Sequence, residues 1–320
     1  MQLANYQLLL KLNDCLISTI YKSMDIFEKI NKLEITEKTK LNILRKSSFV
    51  DDVQVDANGI PLFSWIDISL TELCNRVCGF CPRVDENGYP NQNLNLSVTL
   101  AAKLANELRG IDYKGGVVFC GYGEPLLHPQ LCKVIEQFRG IHVEIVTNGD
   151  KLNGGLIVEL FNAGLSFICV SMYDGPHQVK FFEDLFRSAG VDAERYILRD
   201  RWHNEEDSFG LKLTNRSGTI NFGPNAKDFV GRPCYYTAYS MAIDWNGDVL
   251  LCVQDWNKKV KFGNVGQDTL LNIWNSIRLH KYRSKLIDGK RVSSPCNICN
   301  ADGTVHGFNH VNSWMRVGSE

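Results

Sequence analysis

Between residues 63 and 200 the chain repeats one pattern, a short apolar run of strand length followed by a segment with apolar residues at helical spacing. The runs are Trp65 to Leu70, Val117 to Cys120, Val143 to Thr147, Phe167 to Ser171 and Arg195 to Leu198, and the helical segments cover residues 97–109, 129–139, 152–163 and 177–189. A sixth strand is expected between Leu211 and Phe222. Strands separated by helices pair in parallel, which confines the chain to α/β architectures with helices packed outside a parallel sheet. Chemistry in such folds gathers at the carboxyl ends of the strands. The loops that follow the runs are therefore where functional residues are to be sought.

The loop after the first run reads Cys74-Asn75-Arg76-Val77-Cys78-Gly79-Phe80-Cys81. Three thiolates cannot complete a four-iron cluster, so one iron would stay open to an exogenous ligand. Burial of the three as small apolar residues is the other reading, but Asn75, Arg76 and Gly79 make a poor core segment. The second run ends in Cys120-Gly121-Tyr122-Gly123-Glu124-Pro125-Leu126, where two glycines let the backbone turn sharply and approach a ligand closely. The third ends in Thr147-Asn148-Gly149 and the fourth in Ser171-Met172-Tyr173-Asp174-Gly175, although Asn-Gly and Asp-Gly also favour turns for backbone reasons alone. Cys120, Cys132 and Cys169 lie among apolar neighbours without mutual ligand spacing and read as core, as does Cys15 in the amino-terminal segment.

The three-cysteine spacing, with an aromatic residue before the third, resembles that of the radical S-adenosylmethionine (radical SAM) superfamily. The resemblance implies a partial (β/α)6 barrel, a [4Fe-4S] cluster on Cys74, Cys78 and Cys81, and SAM bound to its open iron. Reductive cleavage of SAM would then give a 5'-deoxyadenosyl radical that abstracts hydrogen from a substrate. Gly121, Tyr122, Gly123 and Glu124 resemble the family's segment at the amino group of SAM, with Tyr122 where a first glycine is usual. Asn148 and Ser171 stand where the family contacts the ribose and carboxylate of SAM, whereas Asp174 reads as a turn residue.

After residue 230 the alternation stops, and Cys234, Cys252, Cys296 and Cys299 supply four thiols. Four cysteines ending in C-x-x-C suit a tetrahedral zinc site. The resemblance favours a second, fully ligated [4Fe-4S] cluster, as in the SPASM and shorter twitch extensions of the superfamily. Met241 to Cys252 reads as a hairpin turning at Asn246-Gly247, with a helix at Thr269 to Ile277. The expected organisation is a helical extension over 1–60, a partial barrel over 61–230 and a small α+β auxiliary-cluster domain over 231–320.

Within the superfamily the spacing is most similar to twitch-type enzymes that oxidise an alcohol of an aminocyclitol. The implied function is oxidation of a sugar, aminosugar or cyclitol alcohol to a ketone, the auxiliary cluster accepting an electron. Arg216, in Asn215-Arg216-Ser217-Gly218, resembles an arginine placed beside substrate in such enzymes and would act there as a donor, not as a neutral base. Pairing with a surface acid is its alternative. Modification of a peptide, and a non-catalytic zinc module serving protein interaction, are the rival readings.

Formal charge of -1 with acids and bases interspersed gives no case for a nucleic-acid or membrane surface. No apolar run reaches the ~20 residues needed to cross a bilayer, and Met1 to Leu10 does not read as a secretory signal. Eleven cysteines in 320 residues suggest thiolate chemistry in a reducing compartment, the cytoplasm. The resemblance implies a flavodoxin or ferredoxin as electron donor.

Overall fold

The computed structural model describes residues 37–202 and 213–317. Cys15 and most of the amino-terminal helical reading lie outside the described residues. Five strands and their helices follow the expected alternation: β1 (Trp65–Ile68), α2 (Val98–Gly110), β2 (Gly116–Phe119), α3 (Leu131–Gln137), β3 (His142–Thr147), α4 (Gly154–Ala163), β4 (Phe167–Met172), α5 (His177–Ser188) and β5 (Tyr196–Asp200), with α1 (Glu37–Val50) ahead of them. Local chemistry sets these limits. The Ser97 hydroxyl accepts from Leu100 N at 3.1 Å and starts α2, whose Ala101, Leu104, Ala105 and Leu108 form one buried stripe. The Asn153 side chain starts α4 in the same way, and Gly164, at φ 115°, ends it in a conformation that only glycine adopts freely.

The sheet runs in the order β5-β4-β3-β2-β1-β6-β7-β8. Here β6 (Ser240–Ile243), β7 (Asp248–Leu250) and β8 (Lys261–Asn264) come from the carboxyl-terminal part of the chain. β6 pairs parallel to β1, with Trp65 opposite Ser240 and Ile68 opposite Ile243, so six strands run in parallel, and β7 and β8 continue antiparallel. The sixth strand is thus not between Leu211 and Phe222. Residues 213–222 form turns, and 211–212 lie outside the described residues. The sixth position is filled beside β1, by a strand that also opens the hairpin turning at Asn246-Gly247, where Gly247 has φ 88°. The helix expected over Thr269 to Ile277 is α6 (Leu270–Trp274), and a second helix, α7 (Ile277–Ile287), precedes the last two cysteines; it starts where the Ser276 hydroxyl accepts from Leu279 N.

Alternate residues of β1 face opposite ways. Ile66, Ile68 and Leu70 join the main apolar core under the helices, while Trp65 and Asp67 face the concave side. The helix α1 closes the amino-terminal end of that concavity. Its Arg45 forms an ion pair with buried Glu144 and lies 4.2 Å over the Phe167 ring, Lys46 lies 4.5 Å over Trp65, and Phe49 stacks 4.4 Å from His142. Trp65, His142 and Phe167 are the first residues of β1, β3 and β4. The carboxyl-terminal segment, including α8 (Phe308–Val317), secures both from outside, through His310 Nε2 with Ser64 Oγ (2.8 Å) and His306 Nδ1 with Ser47 Oγ (3.2 Å).

Candidate radical SAM site

The 74–81 loop leaves the carboxyl end of β1 and is pinned by its own polar groups. Cys74 N donates to Asn91 Oδ1 at 2.8 Å, Asn91 Nδ2 returns a bond to Cys74 O, and Cys81 N reaches Cys78 O at 2.9 Å. Arg76 spans two further strand ends, gripping Asp150 through Nε (2.6 Å) and Nη2 (2.5 Å), and Asp174 through Nη1 (2.7 Å) and Nη2 (2.6 Å). Those bonds hold the Asp174 carboxyl below its usual range and secure the loop over the ends of β3 and β4. Asp174 has a role beyond turn geometry, as a structural anchor.

The three thiols share one pocket. Cys78 is pushed up to about 12 by burial and then by Cys81 and Cys74, and Cys74 is raised by burial with Cys81 contributing, so all three pairs lie within mutual electrostatic reach. Buried neighbouring thiolates are unfavourable until a cation joins them, which is the condition a bound cluster meets.

The turn after β2 is shaped by its glycines. Gly121 has φ 118°, and a Cβ at Gly123 would collide with the carbonyls of Thr71 and Leu73. Glu124 is 3 % exposed, and its carboxylate accepts from Thr147 Oγ1 (2.6 Å), Asn148 N (2.8 Å) and Leu126 N (3.0 Å). Burial raises its pKa against those bonds. Asn148 Nδ2 in turn donates to Asn75 Oδ1 at 2.9 Å, tying the turn after β3 to the cysteine loop. Tyr122 points elsewhere: its ring meets Trp256 edge-on at 4.9 Å and its hydroxyl donates to Asp255 O. Ser171 is buried on β4 and its Oγ accepts from Arg199 Nη2 at 2.7 Å.

Cys74, Cys78, Cys81, Glu124, Asn148 and Ser171 line one cavity of about 450 Å³, together with Asp67, Cys120, Cys169, Arg199, Arg201 and Arg216. The size suits a small organic ligand. Cys120, expected as core, packs on the small apolar cluster of Val50, Trp65, Val118 and Tyr239 and also borders the cavity, its Sγ 3.4 Å from Asp67 Oδ1. Cys169 also borders it, while Cys132 packs against the core as expected. Asp67, Arg199, Arg201 and Lys46 were missed by sequence reasoning. An acid inside the apolar run Trp65 to Ile68, and two arginines two apart on one strand face, were the available signals.

The second thiol set sits behind a single turn. Cys234, Cys252, Cys296 and Cys299 border a small pocket with Ser217, Tyr236, Thr237 and Arg291. Cys252 feels Cys299, Cys234 and Cys296; Cys296 feels Cys234 and Cys299; Cys234 feels Cys299. All six pairs are therefore in reach, and burial followed by mutual repulsion pushes Cys296 up to about 12; burial also lifts Cys234 to about 11. Arg291 offsets part of that charge while donating to the carbonyls of Arg232, Pro233 and Ala301. Among the described residues no three such side chains converge closely enough to share one ion. A tetrahedral zinc needs each sulfur about 2.3 Å from one point. Four buried thiols within reach of one another, with Arg291 beside them, are a donor set that fits a thiolate-held cluster.

Arg216 and Ser217 lie between the two sets. Both have positive φ, 47° and 55°, and the turn is latched to the C-x-x-C segment by Asn215 Nδ2 to Ile298 O (2.7 Å) and Asn215 N to Asn300 Oδ1 (2.7 Å). Arg216 faces the large cavity, where burial raises the Cys81 thiol and the Arg216 charge offsets a part of that, while Ser217 faces the other four thiols.

Comparisons with known proteins agree with this geometry. Residues 68–197 match the radical SAM superfamily model and residues 234–300 match SPASM, an iron-sulfur cluster-binding domain. The chain is 29 % identical over 248 residues to the S-adenosyl-L-methionine-dependent 2-deoxy-scyllo-inosamine dehydrogenase of Niallia circulans, covering 75 % of this chain and 93 % of that one. A weaker relative is the 7,8-dihydro-6-hydroxymethylpterin dimethyltransferase of Methanocaldococcus jannaschii, 29 % identical over 49 % of this chain and 30 % of its own. Among solved structures, BtrN in complex with AdoMet and 2-DOIA superposes with a TM-score of 0.65 at 26 % identity, over 78 % of this chain and 98 % of that one. BtrN in an open conformation gives 0.57 at 23 % identity, over 75 % of this chain and 93 % of that one. The chain belongs to the radical SAM superfamily and carries a SPASM-type iron-sulfur extension.

Proposed function

We propose that this enzyme is a dehydrogenase that oxidises a secondary alcohol of a small sugar, aminosugar or cyclitol to a ketone. The observation that carries the reading is the Arg216-Ser217 turn, which faces a ligand-sized cavity on one side and a closed four-thiol cage on the other. In this reading Cys74, Cys78 and Cys81 hold one [4Fe-4S] cluster, and Cys234, Cys252, Cys296 and Cys299 hold another. With SAM bound, the first cluster supplies the chemistry that removes a carbon-bound hydrogen, and the second supplies an electron acceptor. Gly121, Gly123 and Glu124 shape the amino end of the SAM site, Tyr122 braces it, and Asn148 orders it. Ser171 and Arg199, already bonded to each other, present donors suited to the carboxylate of SAM. Arg216 orients the substrate hydroxyl by donation.

The relative's name assigns it an aminocyclitol, which supports a small polyhydroxylated substrate here. The electron donor in this proposal is a flavodoxin or ferredoxin. The chain divides functionally near residues 60 and 230 into a closing helix segment, a barrel and a cluster-bearing extension. Among the described residues no helix is long and apolar enough to cross a membrane.

Anaerobic reconstitution tests the assignment. Iron is expected near eight atoms per chain, falling by about half when Cys74, Cys78 and Cys81 are all replaced by alanine. Cys78→Ala alone is expected to abolish release of 5'-deoxyadenosine from SAM. Wild-type release in that variant, or stoichiometric zinc beside only four irons, would contradict it.

A further inference from the structure

The floor of the cavity comes from the helix ahead of the barrel. Lys46 leaves α1 toward the interior, its ammonium 4.5 Å over the Trp65 ring and 5.3 Å from that of Tyr239, in the field of Asp67, Cys120 and Glu144. Glu144 is taken by Arg45 and by His142 at 2.8 Å. Among the described residues Asp67 bonds the Cys120 thiol, at 3.4 Å, and Trp65. Among the described residues Lys46 makes no hydrogen bond, and no carboxylate stands within 4.0 Å of its Nζ. An ammonium with free donors therefore faces a carboxylate with free lone pairs, both on the wall of one cavity.

A group placed between them must accept from one and donate to the other. A hydroxyl does both. A protonated amine offers Lys46 no lone pair, and a carboxylate offers Asp67 no proton, so neither bridges the two as a hydroxyl does. Burial disfavours the charges of both residues, lowering Lys46 and raising Asp67, so a ligand that bonds the two together relieves that cost.

We propose that Lys46 is a substrate-contacting, specificity-determining residue which, with Asp67, grips a ring hydroxyl of a neutral polyol and disfavours an amino group at that position. The proposal rests on the small-alcohol reading above and narrows it, from aminocyclitols toward fully hydroxylated rings.

The test is titration calorimetry on the cluster-loaded protein with SAM present, using the all-hydroxyl ring scyllo-inositol and the amine 2-deoxy-scyllo-inosamine as probes. Wild-type protein is expected to bind the first at least about tenfold more tightly, the scale of one charge-assisted hydrogen bond. Lys46→Met keeps an apolar stem against Trp65 and Tyr239 and is expected to remove the preference; Lys46→Glu is expected to invert it. Unfolding temperatures identify any variant that has lost its fold, and the wild-type preference needs no variant. Equal binding of the probes, no binding of either, or a preference that survives Lys46→Met in folded protein overturns the proposal. Release of 5'-deoxyadenosine without substrate, measured on the same samples, reports the reaction class separately.

Discussion

Buried histidines at the junction of α1, the barrel and α8 make the fold sensitive to acid. Burial holds His310 down to about 3, with Arg283 adding to the effect, and puts His306 well below its ordinary 6.5. Between about pH 6.5 and pH 3 the unfolded chain binds a proton that His310 in the folded chain does not, so stability falls as pH drops through that window. The slope reaches about 1.4 kcal/mol per pH unit for each such group. Anaerobic urea unfolding of the loaded protein at pH 7 and pH 5.5 is expected to show this loss, and His310→Gln to reduce it. An identical pH dependence in the variant would show that other groups are responsible. At this scale the sequence was most legible where chemistry depends on spacing, as in Cys74, Cys78 and Cys81. Lys46, Asp67 and Arg199 stayed hidden because a charged residue inside an apolar run acquires a partner or a cavity only when distant strands assemble.

The element that changes the picture most is α1. Its sequence mixes apolar and charged positions without a motif, yet it delivers Arg45 to Glu144, whose side chain is 1 % exposed, and Lys46 to the cavity floor. Arg45→Met leaves buried Glu144 with His142 beside it and no cation from α1, and is expected to destabilise the protein by about 1–3 kcal/mol. Arg45→Met combined with Glu144→Gln is expected to recover much of that loss, because no unpaired carboxylate remains. Chemical denaturation gives both numbers, and additive losses in the double variant would refute the coupling. Strands β1 to β5 were legible because short apolar runs between helical segments leave little choice of partner. The sixth was misplaced because local pattern does not say which edge of a sheet a later strand joins. Only the pairing of Trp65 to Ile68 with Ser240 to Ile243 reveals that the extension completes the barrel's sheet.

At the scale of the whole molecule, the two thiol sets are more than 150 residues apart in sequence and are brought to opposite sides of one turn, Arg216-Ser217. The continuous sheet explains how: β6 lies against β1, so the loops after both strands open at the same end. If the second set accepts an electron from the substrate, Cys252→Ala is expected to stop formation of oxidised product while SAM cleavage persists, provided the extension still folds, which its unfolding temperature checks. Product at the wild-type level in that variant would remove the second cluster from the reaction.

In the proposed reaction hydrogen is taken from a carbinol carbon and the alcohol leaves as a ketone. Mass spectrometry of reduced enzyme incubated with SAM and a panel of carbon-deuterated cyclitols, sugars and aminosugars measures it directly. Deuterium is expected in 5'-deoxyadenosine together with loss of two hydrogens, one of them the deuterium label, from the substrate that donates it. Transfer without that loss would mean epimerisation or elimination, and transfer only from a peptide would contradict the account altogether.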